Sequence, residues 1–171
     1  MKFMGYRQAD GKVGVRNEVV IIPSVFCACG TAEAIGAKTD TPVLRHPVGC
    51  TQVGYDFELT ARTLIAMGRH PNVAAVLVVG LGCERFRPTE LYEGIKASGK
   101  PVEMVVIQEE GDTEKTVKKG VRAVKRLQEY ARSRKKEECD ISELMIALKC
   151  GGTDATSGLA ANPAVGVMSD M

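Results

Sequence analysis

Apolar and polar positions alternate in blocks that predict strands and helices in turn. Residues 18–22 (EVVII) read as a strand that Pro23 ends, and residues 42–45 (PVLR) as a short second one. Residues 73–79 (VAAVLVV) are continuously apolar, the pattern of a central strand covered on both faces. Residues 102–107 (VEMVVI) and 144–148 (LMIAL) complete a set of five. Between them, residues 31–37 are a short Ala-rich helix. Phe57, Ala61, Leu64 and Gly68 make one buried face of a helix over 54–69. Pro88 opens a third helix with Leu91 and Ile95 inward and Gly99 as its stop. Val117, Val121, Val124, Leu127 and Ala131 are the stripe of a long fourth helix.

This alternation predicts an α/β fold: a three-layer, Rossmann-like open sheet of about five mainly parallel strands with helices on both faces. We expect residues 1–171 to form a single such domain. Residues 159–171 (LAANPAVGVMSDM) read as the start of an element, and the expectation is a fragment of a longer catalytic region.

Composition narrows the function classes. The 171 residues are 44% hydrophobic and 26% charged, which excludes a disordered or collagen-like chain. With 5% aromatics and no Trp, an aromatic base-stacking surface is not expected, and a net charge of +2 does not call for nucleic acid. Ten Lys/Arg and five Asp/Glu fall within residues 112–138, a local +5 that reads mostly as the solvated face of the long helix. The first ten residues lack the apolar run of a signal peptide, and residues 73–81 are too few to span a bilayer. A cytoplasmic protein with no membrane partner follows as the expectation, and its cysteines should be thiols, metal ligands or catalytic groups.

Those cysteines are the candidate chemistry. Ligands of open parallel sheets bind beyond the carboxyl ends of the strands. Cys27 and Cys29 follow the first predicted strand, Cys50 the second, Cys83 the third and Cys150 the fifth. Cys139 is expected to be a surface or packing thiol. Cys50, Cys83 and Cys150 each lie beside glycine, which lets the backbone approach a ligand closely. They are predicted metal ligands or nucleophiles. The one-residue spacer of Cys27-Ala28-Cys29 fits no common zinc knuckle. His46, four residues before Cys50, is a candidate ligand or base, whereas His70 reads as a helix-end cap. Glu84 and Asp154 are acid/base candidates. Gly151-Gly152-Thr153-Asp154 suits a backbone nest for an anion. There is neither a P-loop nor a Rossmann fingerprint, which argues against a nucleotide hydrolase or a simple dehydrogenase.

Together the stretches GYRQADGKVGVRN (5–17), IIPSV (21–25), His46 with Gly49-Cys50, HPNVAAVLVVGLGCE (70–84), KPVE (100–103) and LKCGGTDATSGLAANPAVGVMSD (148–170) resemble the altronate/galactarate dehydratase family, which includes the large subunit of sulfolactate sulfo-lyase. The similarity runs over essentially the whole chain. It implies a lyase for small sugar acids. A base takes the proton beside the carboxylate, an acid helps the 3-hydroxyl leave as water, and the enol becomes a 2-keto-3-deoxy acid. In a sulfo-lyase the leaving group is sulfite. The resemblance also implies iron or another divalent metal. Three thiolates from Cys50, Cys83 and Cys150 suit iron or an iron–sulfur cluster, and a mononuclear ion with His46 and fewer cysteines is the competing picture. His46, Glu84 and Asp154 are then the expected catalytic groups. Arg16, Asn17, Gly151, Gly152, Thr153 and Asn162 are the expected substrate contacts. The expected protein partners are the rest of the catalytic region and a second copy of the chain. The alternatives are a structural module without activity of its own and a redox or metal-sensing domain.

Overall fold

A computed structural model describes residues 1–171 except Cys150 and Thr153. The strands are β1 (Lys2–Arg7), β2 (Val13–Gly14), β3 (Glu18–Pro23), β4 (Val73–Gly80), β5 (Val102–Val106) and β6 (Glu137–Asp140). The helices are α1 (Cys29–Thr39), α2 (Gly54–Gly68), α3 (Pro88–Lys96), the single turn α4 (Ile107–Glu110), α5 (Thr113–Ser133) and α6 (Asn162–Asp170).

The body is a parallel sheet in the order β3-β4-β5. Every residue of β4 is buried, as its unbroken apolar run requires of a strand with a neighbour on each side. Side chains alternate between the faces. Val19 and Ile21 of β3 with Ala75, Leu77 and Val79 of β4 pack under Ala32 and Ile35 of α1 and Val117, Val124 and Leu127 of α5. Val20, Ile22, Val76 and Val78 face Leu64 of α2, Leu91 and Ile95 of α3, and Phe86. Helices therefore cover both faces, in three layers.

Two strand expectations are corrected. Residues 42–45 pair only through an isolated parallel bridge between Ile21 and Val43. Residues 144–148 form no strand, and Met145, Ile146 and Leu148 are exposed. An apolar run becomes a strand only where an edge offers it hydrogen bonds, and this one meets none. The parallel sheet thus has three strands in place of about five.

A second sheet, antiparallel in the order β2-β1-β6, was not foreseen. β1 pairs with β6 from Lys2↔Asp140 to Gly5↔Glu137. Cys139 is buried in β6, a packing thiol as expected. The hairpin of β1 and β2 docks on the turn at residues 70–72. Gln8 donates to Pro71 O at 2.8 Å, and the Val15 and Arg16 amides donate to Asn72 Oδ1 at 2.9 and 3.1 Å. A Cβ on Gly14 would lie 2.2 Å from Pro71 O, so only glycine allows this approach. Two of the stretches that carry the family resemblance, GYRQADGKVGVRN and HPN, therefore meet each other at the amino edge of the parallel sheet.

Lys100 is buried at this edge, its ammonium donating to His70 O. Burial lowers its pKa from 10.5 to about 8, against the opposing pull of Asp10. The folded pKa lies below the unfolded one, so the unfolded chain holds more protons between these values and stability rises with pH there. Urea midpoints of the protein are expected to rise from about pH 8 to 10, by on the order of 2 kcal/mol. Lys100→Met is expected to flatten that rise, and an identical slope in the variant would assign it to other groups.

The α5 helix begins at Asp112, whose side chain accepts the Lys115 amide at 2.7 Å. Much of its charge is neutralised locally, by Lys115–Asp112, Lys118–Glu114, Lys119–Glu110 and Arg126–Glu103. No helix among the described residues is long and apolar enough to cross a membrane.

Candidate functional site at the carboxyl edge of the parallel sheet

The loops leaving β3 and β4, together with the one after the Val43 bridge, converge on Pro23 and Ser24. His46 Nε2 lies 2.7 Å from Pro23 O; a carbonyl only accepts, so Nε2 carries the proton. Its Nδ1 accepts the Val48 amide at 3.4 Å. From the other side Ser24 Oγ donates to Glu84 Oε1 at 2.5 Å. The same carboxylate accepts the Leu81 amide on Oε1 at 3.0 Å and the Gly82 amide on Oε2 at 2.5 Å. Glu84 is buried and turned inward, where it fixes the loop that carries Cys83.

Two glycines with positive φ shape the edge. Gly49 (φ 114°) lies against the Ser24–Val25 backbone and Gly82 (φ 123°) against Gln108. Each immediately precedes an exposed cysteine, Cys50 and Cys83. Cys27 is exposed as well, while Cys29 is buried with its thiol directed at Val25 O and His46 O. The pair of thiols at 27 and 29 thus divides into one outward and one packed. Alkylation of the folded protein is expected to modify Cys27, Cys50 and Cys83 in minutes and to spare Cys29 and Cys139 until denaturation. Peptide mass spectrometry reads the order, and early labelling of Cys29 would show that the edge opens.

The predicted site residues fall into three groups. His46, Cys50, Cys83 and Glu84 come together at this edge. Arg16 and Asn17 precede β3, at its opposite end, about 20 Å away by the length of a six-residue strand. Gly151, Gly152, Asp154 and Asn162 lie on the C-terminal segment, where no described residue beyond Asp140 is buried. Asp154 caps a local turn: the Thr156 hydroxyl at 2.5 Å, then the Thr156 and Ser157 amides at 2.7 and 3.0 Å, hold its carboxyl below the usual range. Asn162 opens α6 and is exposed. Cys150 and Thr153 lie outside the described residues.

Among the described residues, no three of His, Cys, Asp and Glu assemble as ligands for a metal ion. Both ring nitrogens of His46 already have backbone partners. The described residues alone do not fit a resident iron centre.

Sequence reasoning passed over Ser24 and Gln108 as organisers of the edge. Ser24 is fully buried between Val79 O and Glu84. Its signal was a hydroxyl directly after a strand-ending proline.

Residues 5–132 match the family described as D-galactarate dehydratase/Altronate hydrolase, second domain. The chain belongs to this family. Residues 141–171 match D-galactarate/Altronate dehydratase, C-terminal. Among curated relatives, the (2R)-sulfolactate sulfo-lyase subunit beta of Chromohalobacter salexigens is 42% identical over 169 residues, covering 98% of this chain and 43% of that protein. Altronate dehydratase of Bacillus subtilis is 39% identical over 180 residues, covering 98% and 36%. Galactarate dehydratase (L-threo-forming) of Escherichia coli is 33% identical over 190 residues, covering 99% and 36%. The chain spans less than half the length of these family members. No solved structure matches it.

Proposed function

We propose that the chain supplies the carboxyl-edge part of a hydro-lyase site that dehydrates a sugar acid such as altronate or galactarate to a 2-keto-3-deoxy acid. The observation that carries this reading is similarity to two such dehydratases over nearly the whole chain. The edge supports it as architecture. Pro23 and Ser24 hold His46 and Glu84, and the loops present Cys50 and Cys83 to solvent. In this reading Glu84 is a positioning residue, because its oxygens already accept three hydrogen bonds. Asp154, held ionised, is an acceptor for a substrate hydroxyl. His46 orients the loop that carries Cys50.

Iron belongs to the proposal as a group that Cys50 and Cys83 would hold with ligands outside the described residues, and no step is routed through it. The elimination itself balances without an oxidant: the proton beside the carboxylate and the 3-hydroxyl leave together as water, and the enol tautomerises to the ketone.

A second reading, elimination of sulfite from sulfolactate, is favoured by the 42% identity to the sulfo-lyase subunit. The native protein, assayed anaerobically against altronate, galactarate and (2R)-sulfolactate, separates the two. Keto-acid formation without sulfite supports the first, sulfite release supports the second, and turnover of none of the three removes both.

A further inference from the structure

We propose that the groove between α2 and α3 binds an organic phosphomonoester, its phosphoryl group at the amino edge of the sheet and its apolar body along α2. The groove, about 670 Å³, is lined by Phe57, Ala61 and Ile65 of α2, Gly94 of α3 and, at its lower end, Lys12 and His70. It belongs to the face of the parallel sheet that α2 and α3 cover, away from α1 and α5.

The first observation is a set of donors at one end. Arg62 and Arg69 of α2 line the groove together with Lys12, from the turn between β1 and β2. Arg62 makes no ion pair among the described residues, although Glu58 lies one turn before it. Arg69 donates through Nε to Gly94 O at 2.7 Å, which fixes the guanidinium and leaves its terminal nitrogens for a ligand. His70 Nδ1 accepts the Asn72 amide at 3.2 Å, so Nε2 carries the proton and is a further donor. Lys12 has only a loose contact with Asp10, at 3.8 Å. Glu58 is three turns of α2 from Arg69, about 16 Å along the helix. The amino end therefore holds three cations against Asp10, an excess of two that a dianion matches.

The donors also select the shape of that anion. They arrive from the hairpin, from α2 and from the turn at residues 70–71. A phosphoryl group turns three oxygens to different sides and can meet all of them, whereas a carboxylate offers two oxygens in one plane.

The second observation is the apolar stripe. Phe57, Ala61 and Ile65 recur every four residues and form one face of α2. The stripe runs about 12 Å, far more than a phosphate occupies. Ala66 stands between Arg62 and Arg69 with only a methyl group, which leaves an opening between the two guanidinia. The floor is rigid before any ligand arrives. Phe57 meets Phe86 edge-on, with centroids 6.0 Å apart and planes at 85°, and Arg85 lies over its ring at 5.1 Å. An apolar cleft with polar groups gathered at one end is the usual form of a small-molecule site.

The inference does not depend on the dehydratase reading, because binding is read directly. A protein without lyase activity would leave it standing.

Calorimetric titration at low ionic strength with 1-naphthyl phosphate, inorganic phosphate, 1-naphthol and 1-naphthoate tests it. Naphthyl phosphate is expected to bind at least tenfold more tightly than each of the other three. Lys12→Ala and Arg62→Ala, at exposed side chains that leave the core intact, are each expected to weaken it about tenfold. Ala66→Trp, also at an exposed position, is expected to fill the opening and abolish binding. Lys125→Ala, on α5 across the sheet, should leave binding unchanged. No binding of naphthyl phosphate overturns the proposal, as does full binding by Ala66→Trp, which would place the ligand elsewhere. Equal loss in Lys125→Ala would mean diffuse attraction and overturns it too. Inorganic phosphate binding as tightly removes the apolar body, and naphthoate binding as tightly removes the phosphoryl group; either result overturns the phosphomonoester class.

Discussion

Glu84→Ala is expected to lower stability by about 4 kcal/mol, the largest effect of any single side-chain truncation at the carboxyl edge. The carboxylate is buried and accepts from Ser24 Oγ and from the Leu81 and Gly82 amides. Truncation takes the acceptor from the Leu81 and Gly82 amides and leaves the Ser24 hydroxyl only Val79 O at 3.4 Å, at about 1–3 kcal/mol for each bond lost, less whatever water entering the gap restores. Glu84→Gln keeps the volume but points an NH2 at a backbone N–H, so about 2 kcal/mol is expected to be lost even there. Ser24→Ala removes one donor and leaves the carboxylate two partners, and should cost about 1 kcal/mol. Urea denaturation orders the three variants, and a Glu84→Gln midpoint equal to that of the unaltered protein would mean that the carboxylate does not hold the loop.

Gly49→Ala is expected to cost about 3 kcal/mol and to displace Cys50. Gly49 has φ 114°, a conformation closed to residues with a Cβ, and the added methyl would lie 2.6 Å from Ser24 O and 3.0 Å from Val25 Cα. Both obstacles are backbone, so no rotamer change relieves the clash. The same substitution at Gly30 in α1 meets nothing within 4 Å and should stabilise by up to about 1 kcal/mol. Thermal melts of the pair give opposite signs if local geometry governs. A Gly49→Ala protein as stable as the unaltered one would show that the loop re-forms without a positive φ.

How far the sequence revealed this structure depended on where each element draws its stability. β3, β4 and β5 were legible because their apolar residues bury themselves in place, and α5 because its inward stripe from Val117 to Ala131 repeats over about four turns. β6 was invisible for the opposite reason. EECD has one buried side chain, and the strand exists through pairing with β1 more than 130 residues away, reinforced by Lys2–Glu138 and Arg7–Glu137. Residues 144–148 misled because hydrophobicity alone cannot supply a neighbouring strand. At the site, the crowding of cysteines and glycines at strand ends was readable. The inward turn of Glu84 was not, since an acid after a strand looks alike whether it faces solvent or a buried serine. Arg16 and Asn17 were grouped with the cysteines through family resemblance, and the fold separates them because they lie before β3 and the cysteines after it.

The pairing of β1 with β6 also has a topological consequence. Lys2 lies opposite Asp140, and the Ile141 amide donates to Met1 O at 2.9 Å. The path through residues 1–140 therefore begins and finishes at one spot on the surface, like a bead tied off with a single knot. Such a unit can be spliced into a surface turn of another protein without stretching either, and its own ends can be joined and reopened elsewhere as a circular permutant. The exposed turn around Gly11, where φ is 83° and nothing crowds the glycine, is a natural place to cut.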